Sequence, residues 1–259
     1  MPETLKSVNP WRQRLTAAGI HLAISALIAL AAAALVFGVW FPGMYRLMSG
    51  GQSLFTLVVS VDVVLGPLLT FAVFDRTRKS IRHLRMDLLV IALLQAGALA
   101  YGLHTVMEVR PVALVFEVDR FRVVTATDVD EAELPQAAPP YRALPLRGPW
   151  LLSTREPSTP AERNDALFKG LHGIDIGQRP LFWQPYGEAK IRVKAKARAV
   201  SLLFDKYPQR RAELEESLAQ AGLDARTARF LPVTARGDWV ALLDPDEGVA
   251  GFAPFDAYF

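Results

Sequence analysis

The stretch SVDVVLGPLLTFAVFDRTRKSIRHLRMD, residues 60–87, holds a long apolar run with one carboxylate, Asp62, inside it, and it ends in a cluster of arginines and a lysine. The run begins near Ser53 and stops near Phe74. As a helix it is long enough to cross a bilayer core of ~30 Å, which takes roughly 20 residues. Two similar segments flank it. One runs from about Ala18 to Phe41 (AGIHLAISALIALAAAALVFGVWF), the other from about Leu88 to Met107 (LLVIALLQAGALAYGLHTVM). Their Ala, Leu and Val content favours helix, and none alternates with the period of two that a membrane barrel strand needs. The first segment also competes as a cleavable signal peptide. Its apolar core exceeds the ~7–15 residues of a signal h-region and two spans follow it, so it is read as a retained anchor.

The basic cluster predicts an orientation. Lys6, Arg12 and Arg14 precede the first span, and Arg76, Arg78, Lys79, Arg82 and Arg85 fill the loop between the second and third. The loop PGMYRLMSGGQ between the first two spans has only Arg46. Lys and Arg stay in the cytoplasm, so the amino terminus and the basic loop are expected inside and residues 108–259 outside. Trp40, Phe41, Tyr45 and Tyr101 fall where an outer aromatic belt is expected. The whole chain has a formal charge of +3 and a pI near 9.3. The excess lies before residue 107, beside the apolar spans, so it reads as topology and calls for no nucleic-acid partner. The chain has no cysteine, which excludes disulfides, thiolate nucleophiles and Cys-ligated metal centres.

Asp62 sits about 14 Å from the outer end of its span, near mid-bilayer. Insertion scales set the cost of Asp there at ~2.5–3.5 kcal/mol, so it must face other helices, be protonated, or both. Gln95 in the antiparallel third span comes to a similar depth, and a hydrogen bond between the two would satisfy both. Gly66 permits close helix approach, as do Ala92, Ala96 and Ala100 opposite, while Pro67 removes a backbone donor and predicts a kink. Asp62, Gly66, Pro67 and Gln95 are therefore candidates for interhelical packing or for a partner-binding site. A proton relay is the rival use of Asp62. Its other candidates, His21 and His104, lie near opposite span ends and are read as interfacial.

Beyond the third span, RPVALVFEVDRFRVV predicts a β-hairpin, residues 131–149 with five prolines a loop, and STPAERNDALFKGLHG a helix with Pro160 at N1. YPQRRAELEESLAQAGL repeats that device with Pro208 and Gly222. KIRVKAKARAVSLLF fits either period and is read as helix, its cations (Lys190, Arg192, Lys194, Lys196, Arg198) on a solvated face. ARFLPVTARG, DWVALLDPDEG and VAGFAPFD predict strands, with DPDEG as a hairpin turn. The fold class is thus an α+β membrane protein: a three-helix transmembrane region (1–107) followed by a small extracytoplasmic α+β domain (108–259) of a few strands and two or three helices. No nucleophile elbow, P-loop, zinc-binding HExxH or EF-hand pattern occurs, so no catalytic residue, metal or cofactor is assigned.

Several segments resemble the type IV pilin accessory proteins of the TfpX/TfpZ type: GIHL, VWFPGMY, VDVVLGPLLTFAVFD, DLLVIALLQAGALAYGLHT and RPVALVFEVDRF. The resemblance is close in wording over most of residues 18–125 and architectural after that. It implies a bacterial inner-membrane helper that binds or chaperones a type IV pilin subunit, with its carboxyl-terminal domain in the periplasm and no enzymatic chemistry. It also places Asp62, Gly66 and Pro67 in an intramembrane motif, and Arg110, Pro111, Asp119, Arg120 and Phe121 in a juxtamembrane one. The alternatives are a membrane enzyme or proton-coupled transporter built around Asp62, and a sensor with a ligand-binding outer domain. The sensor lacks a cytoplasmic output domain.

Overall fold

A computed structural model of the chain describes residues 9–76 and 78–258. Lys6, one of the cations expected inside, lies outside the described residues. The chain divides into two compact units, one ending at Gly38 and resuming over Gln52–Met107, the other formed by Val39–Gly51 and the chain from Glu108 onward.

Four helices open the chain: α1 (Pro10–Leu35), α2 (Tyr45–Met48), α3 (Gly51–Val73) and α4 (Ile81–Glu108). The Asn9 side chain caps α1 by accepting from the Trp11 amide, with Pro10 in the first turn where its missing N–H costs nothing. A turn of π-helix, Val36–Trp40, extends α1. Three helices are long and apolar enough to cross a membrane: Pro10–Trp40, Gly51–Val73 and Ile81–Glu108. Their most apolar windows bury only 17%, 17% and 11% of their residues within the protein, so most of their Leu, Ile and Val side chains are not buried by it.

Small residues and stacked rings make the helix contacts in this unit. Ser25 and Ala32 are buried on α1, and Phe37 meets Phe55 of α3 edge to face at 5.1 Å. At the amino-terminal end of α1, Arg14 pairs with the buried Asp75 just beyond α3 at 2.8 Å. His21 bonds Thr70 at 2.5 Å, so it ties α1 to α3 where the sequence suggested only an interfacial position. The Ala92–Ala96–Ala100 row on α4 is exposed. The buried face of α4 carries Leu84, Ile91, Gly102 and Val106, roughly 100° around the helix from that row. The close approach occurs at Gly102, where an added Cβ would lie 2.3 Å from Val58 Cγ1.

The second unit is a mixed eight-stranded sheet with helices on its faces. Its strands are β1 (Pro111–Glu117), β2 (Arg120–Thr125), β3 (Trp150–Thr154), β4 (Trp183–Pro185), β5 (Arg198–Ala199), β6 (Arg229–Ala235), β7 (Gly237–Leu243) and β8 (Val249–Ala253). They run in the order β4-β3-β1-β2-β6-β7-β8, with β5 beside β6. β1 pairs in parallel with β3 and β2 in parallel with β6; the other pairs are antiparallel. All seven residues of β1 are buried, because both of its faces are covered. Leu114 and Phe116 join one cluster with Phe121, Val193 and Leu231, and Ala113 and Val115 join another with Tyr141, Leu152 and Trp183. A third cluster packs α7 (Ser201–Lys206) and α8 (Arg211–Gln220) on β6 and β7 through Leu203, Leu214, Leu218, Phe230 and Leu242.

The hairpin β1–β2, the helix α5 (Pro160–Leu171) and strands β6–β8 fall where the sequence places them. The sheet is larger than expected, because WLLST and WQP supply β3 and β4 through long-range pairing. KIRVKAKARAVSLLF is two helices, α6 (Lys190–Lys196) and α7, broken by the short β5. Ala197 turns extended, and Arg198–Ala199 pairs with β6. Arg192 donates to the Thr154 carbonyl and Arg198 to the Ala257 carbonyl, so these two cations anchor the fold.

The largest departure is the segment joining α1 and α3. Met48 is 1% exposed and belongs to the cluster of Leu114 and Phe121, with Met44 and Tyr45 packed against it. The Tyr45 ring meets Phe252 at 5.5 Å, and burial pushes its phenol well above the usual range. The Arg236 amide donates to the Met48 carbonyl, and the Gly148 amide to that of Val39. Phe41 is fully buried. Phe41 and Tyr45 are therefore core residues of this unit and do not form a lipid-facing belt, whereas Tyr101 is 75% exposed.

Candidate functional site

The polar break in α3 lies against α4. Gln95 Nε2 donates to Asp62 Oδ1 at 2.9 Å and to the Asp62 carbonyl oxygen at 3.0 Å. The same amide lies over Gly66, where a Cβ would sit 2.2 Å from Nε2, so this position has room only for hydrogen. α3 continues through Pro67, whose ring leaves the carbonyl four residues earlier without its usual donor. Three of the four intramembrane candidates, Asp62, Gly66 and Gln95, thus make one junction, and Pro67 adjoins it. A cavity of about 390 Å³ opens beside the junction, lined by Asp62, Gln95 and mostly aliphatic residues such as Leu65 and Leu94. The pair is a short polar strip on an apolar wall, able to hydrogen-bond a neighbour that crosses at the same depth.

The juxtamembrane residues separate to the two ends of the β1–β2 hairpin. Arg110 and Pro111 stand at its base, where Arg110 is buried and its Nε donates to the Pro145 carbonyl at 3.1 Å. Asp119 and Arg120 are at its tip, a two-residue turn in which Val118 is 66% exposed at φ 49°. A β-branched residue rarely adopts that conformation. Arg120 pairs with Asp119 at 2.8 Å and stacks on the Tyr258 ring at 5.3 Å, which holds the carboxyl-terminal end against the tip. Phe121 points into the core, edge to face with Phe116 at 5.7 Å, so its role is packing.

Two ion networks were not visible in the sequence. Glu117 is 4% exposed, takes Arg122 Nε at 2.7 Å and accepts from the Gly177 amide at 2.8 Å. Burial pushes its carboxyl up, against the opposing pull of Arg122. Arg179 is 1% exposed and binds Glu133 through Nε at 2.9 Å, while Lys169 reaches both Glu133 and Asp130. Glu117 and Arg122 are five positions apart but Gly177 is 60 from Glu117, and the second network joins residues 36 to 46 apart, so no local pattern reveals either one whole. Among the described residues no group of His, Asp and Glu is arranged to hold a metal ion.

The family described as "Fimbrial assembly protein FimB" matches residues 9–50. Three curated proteins of Dichelobacter nodosus are similar over longer stretches. The fimbrial assembly protein of serogroup E1 is 33% identical over 93% of this chain and 94% of its own length. That of serogroup I is 35% identical over the same shares. That of serogroups C1 and C2 is 39% identical over 46% of this chain and 90% of its own. No solved structure matches.

Proposed function

The chain belongs to the fimbrial assembly protein family, and on that premise we propose that it is an inner-membrane accessory to fimbrial assembly that binds the pilin subunit. The observation that carries this reading is the similarity to fimbrial assembly proteins along nearly the whole of both chains. The three apolar helices anchor the protein, with the basic loop inside and the sheet domain in the periplasm. A subunit awaiting assembly in the same membrane can meet the Asp62–Gln95 strip with its apolar segment, while its outer part meets the sheet domain. Such a helper positions and protects its client, and the reading assigns it no chemical step.

Affinity capture of the full chain from detergent-solubilised membranes of its own bacterium tests this, with a pilin-deletion strain as control. The pilin subunit should be recovered, and deletion of the chain should reduce surface fimbriae. Normal fimbriation without the chain would sink the role in assembly. Reduced fimbriation with no pilin recovered would leave that role and remove the direct contact.

A further inference from the structure

A groove of about 960 Å³ lies between α1 and α4, with Thr70 of α3 in its lining. Its lining changes character along its length. Arg12, Gln13 and Arg76 stand at one end, and Ile20, Ile24 and Ala92 line the rest. Arg12 to Ile24 spans about 18 Å of helix. Arg12 and Arg76 make no ion pair with any described residue, in contrast to Arg14, which Asp75 neutralises. The Gln13 side-chain oxygen is buried without a hydrogen-bond partner, which leaves an acceptor at the charged end. Trp11, 60% exposed and one residue from Arg12, is the kind of ring that marks a membrane–water boundary.

A basic mouth at the boundary above an apolar trough complements one kind of molecule. We propose that this groove binds a single anionic phospholipid, with its phosphate at Arg12 and Arg76 and an acyl chain lying toward Ile24. The two arginines favour a net-negative glycerol headgroup over choline, whose ammonium they repel. Basic pockets between membrane helices on the cytoplasmic side bind such headgroups. The assignment rests on the membrane placement proposed above and is independent of the pilin contact.

Native mass spectrometry of the detergent-solubilised full chain, titrated with dioleoyl-phosphatidylglycerol or dioleoyl-phosphatidylcholine, tests it. One phosphatidylglycerol should be retained in preference, by about thirtyfold for two cations each worth about 1 kcal/mol at a membrane surface. The double variant Arg12→Gln, Arg76→Gln should lose that preference. The double variant Arg82→Gln, Arg85→Gln, which alters basic residues outside the groove lining, should keep it. Equal retention of both lipids by the unaltered chain would overturn the proposal, as would equal losses in the two variants. A lipid-free dimer abolished by the Arg12 and Arg76 changes would assign the groove to a second copy instead. Pilin capture without lipid preference would remove this site alone. A chain that dissolves without detergent would remove the membrane placement as well.

Discussion

Asp62 and its neighbours show how strongly one glycine constrains a helix pair. Gly66 lets the Gln95 amide reach Asp62, and Gly102 lets α4 close on Val58. Both positions exclude a methyl group, but their neighbours differ. The Gln95 amide is the far end of a flexible side chain, whereas Val58 is β-branched and stiff. Gly66→Ala should therefore cost only the hydrogen bond, on average about 0.6 kcal/mol between membrane helices. Gly102→Ala should cost about 1–3 kcal/mol through overpacking. Unfolding midpoints in detergent will rank them, and equal losses would contradict the contact geometry. Asp62→Asn keeps a hydrogen-bonding group but cannot ionise. Near-normal fimbriation is expected for Asp62→Asn and a loss for Asp62→Leu; loss with both would revive proton chemistry.

At the scale of elements, the helix α5 was legible because its signals are local. Thr159 accepts from the Glu162 amide, Pro160 opens the first turn, and Gly173 at φ 85° follows its end. A hydrogen bond from Arg155, reinforced by the Ser158 amide, holds the Glu162 carboxyl down at about 2. A depressed carboxyl stabilises the fold above its ordinary value of 4.5 and loses that contribution as the pH falls toward 2. The acid limb of an unfolding profile should therefore be shallower in Glu162→Gln than in the unaltered chain; an unchanged limb would dismiss the contribution of the Arg155 and Ser158 contacts. The segment 39–51 was illegible for the opposite reason. Its Met44, Tyr45 and Met48 look like a short loop beside a membrane, and only the distant residues Leu114, Phe121 and Phe252 make them core. β3 escaped notice likewise, since five residues after a proline-rich loop gain their meaning by pairing with β1. Met48→Ala should destabilise the sheet domain by about 2–5 kcal/mol. Residues 108–259 expressed without residues 39–51 should aggregate, which light scattering will show; a soluble, cooperatively folding 108–259 would contradict that dependence.

The whole molecule is laced together by chain path. The strand-rich unit takes one segment from between the first two apolar helices and the rest from after the third. In the proposed membrane placement, three crossings bring both segments out on the same face. Composition alone carried the three long apolar helices, because apolar length is a summed property of a stretch. The internal order of the sheet is set by pairings no stretch contains. Because the chain has no cysteine, a single introduced thiol reports its own location. The decisive measurement is labelling by a membrane-impermeant maleimide that reaches the periplasm of intact cells, applied to the exposed positions Glu216→Cys and Ser80→Cys. The account predicts that Glu216→Cys reacts in intact cells and Ser80→Cys only after lysis; the reverse pattern would contradict it.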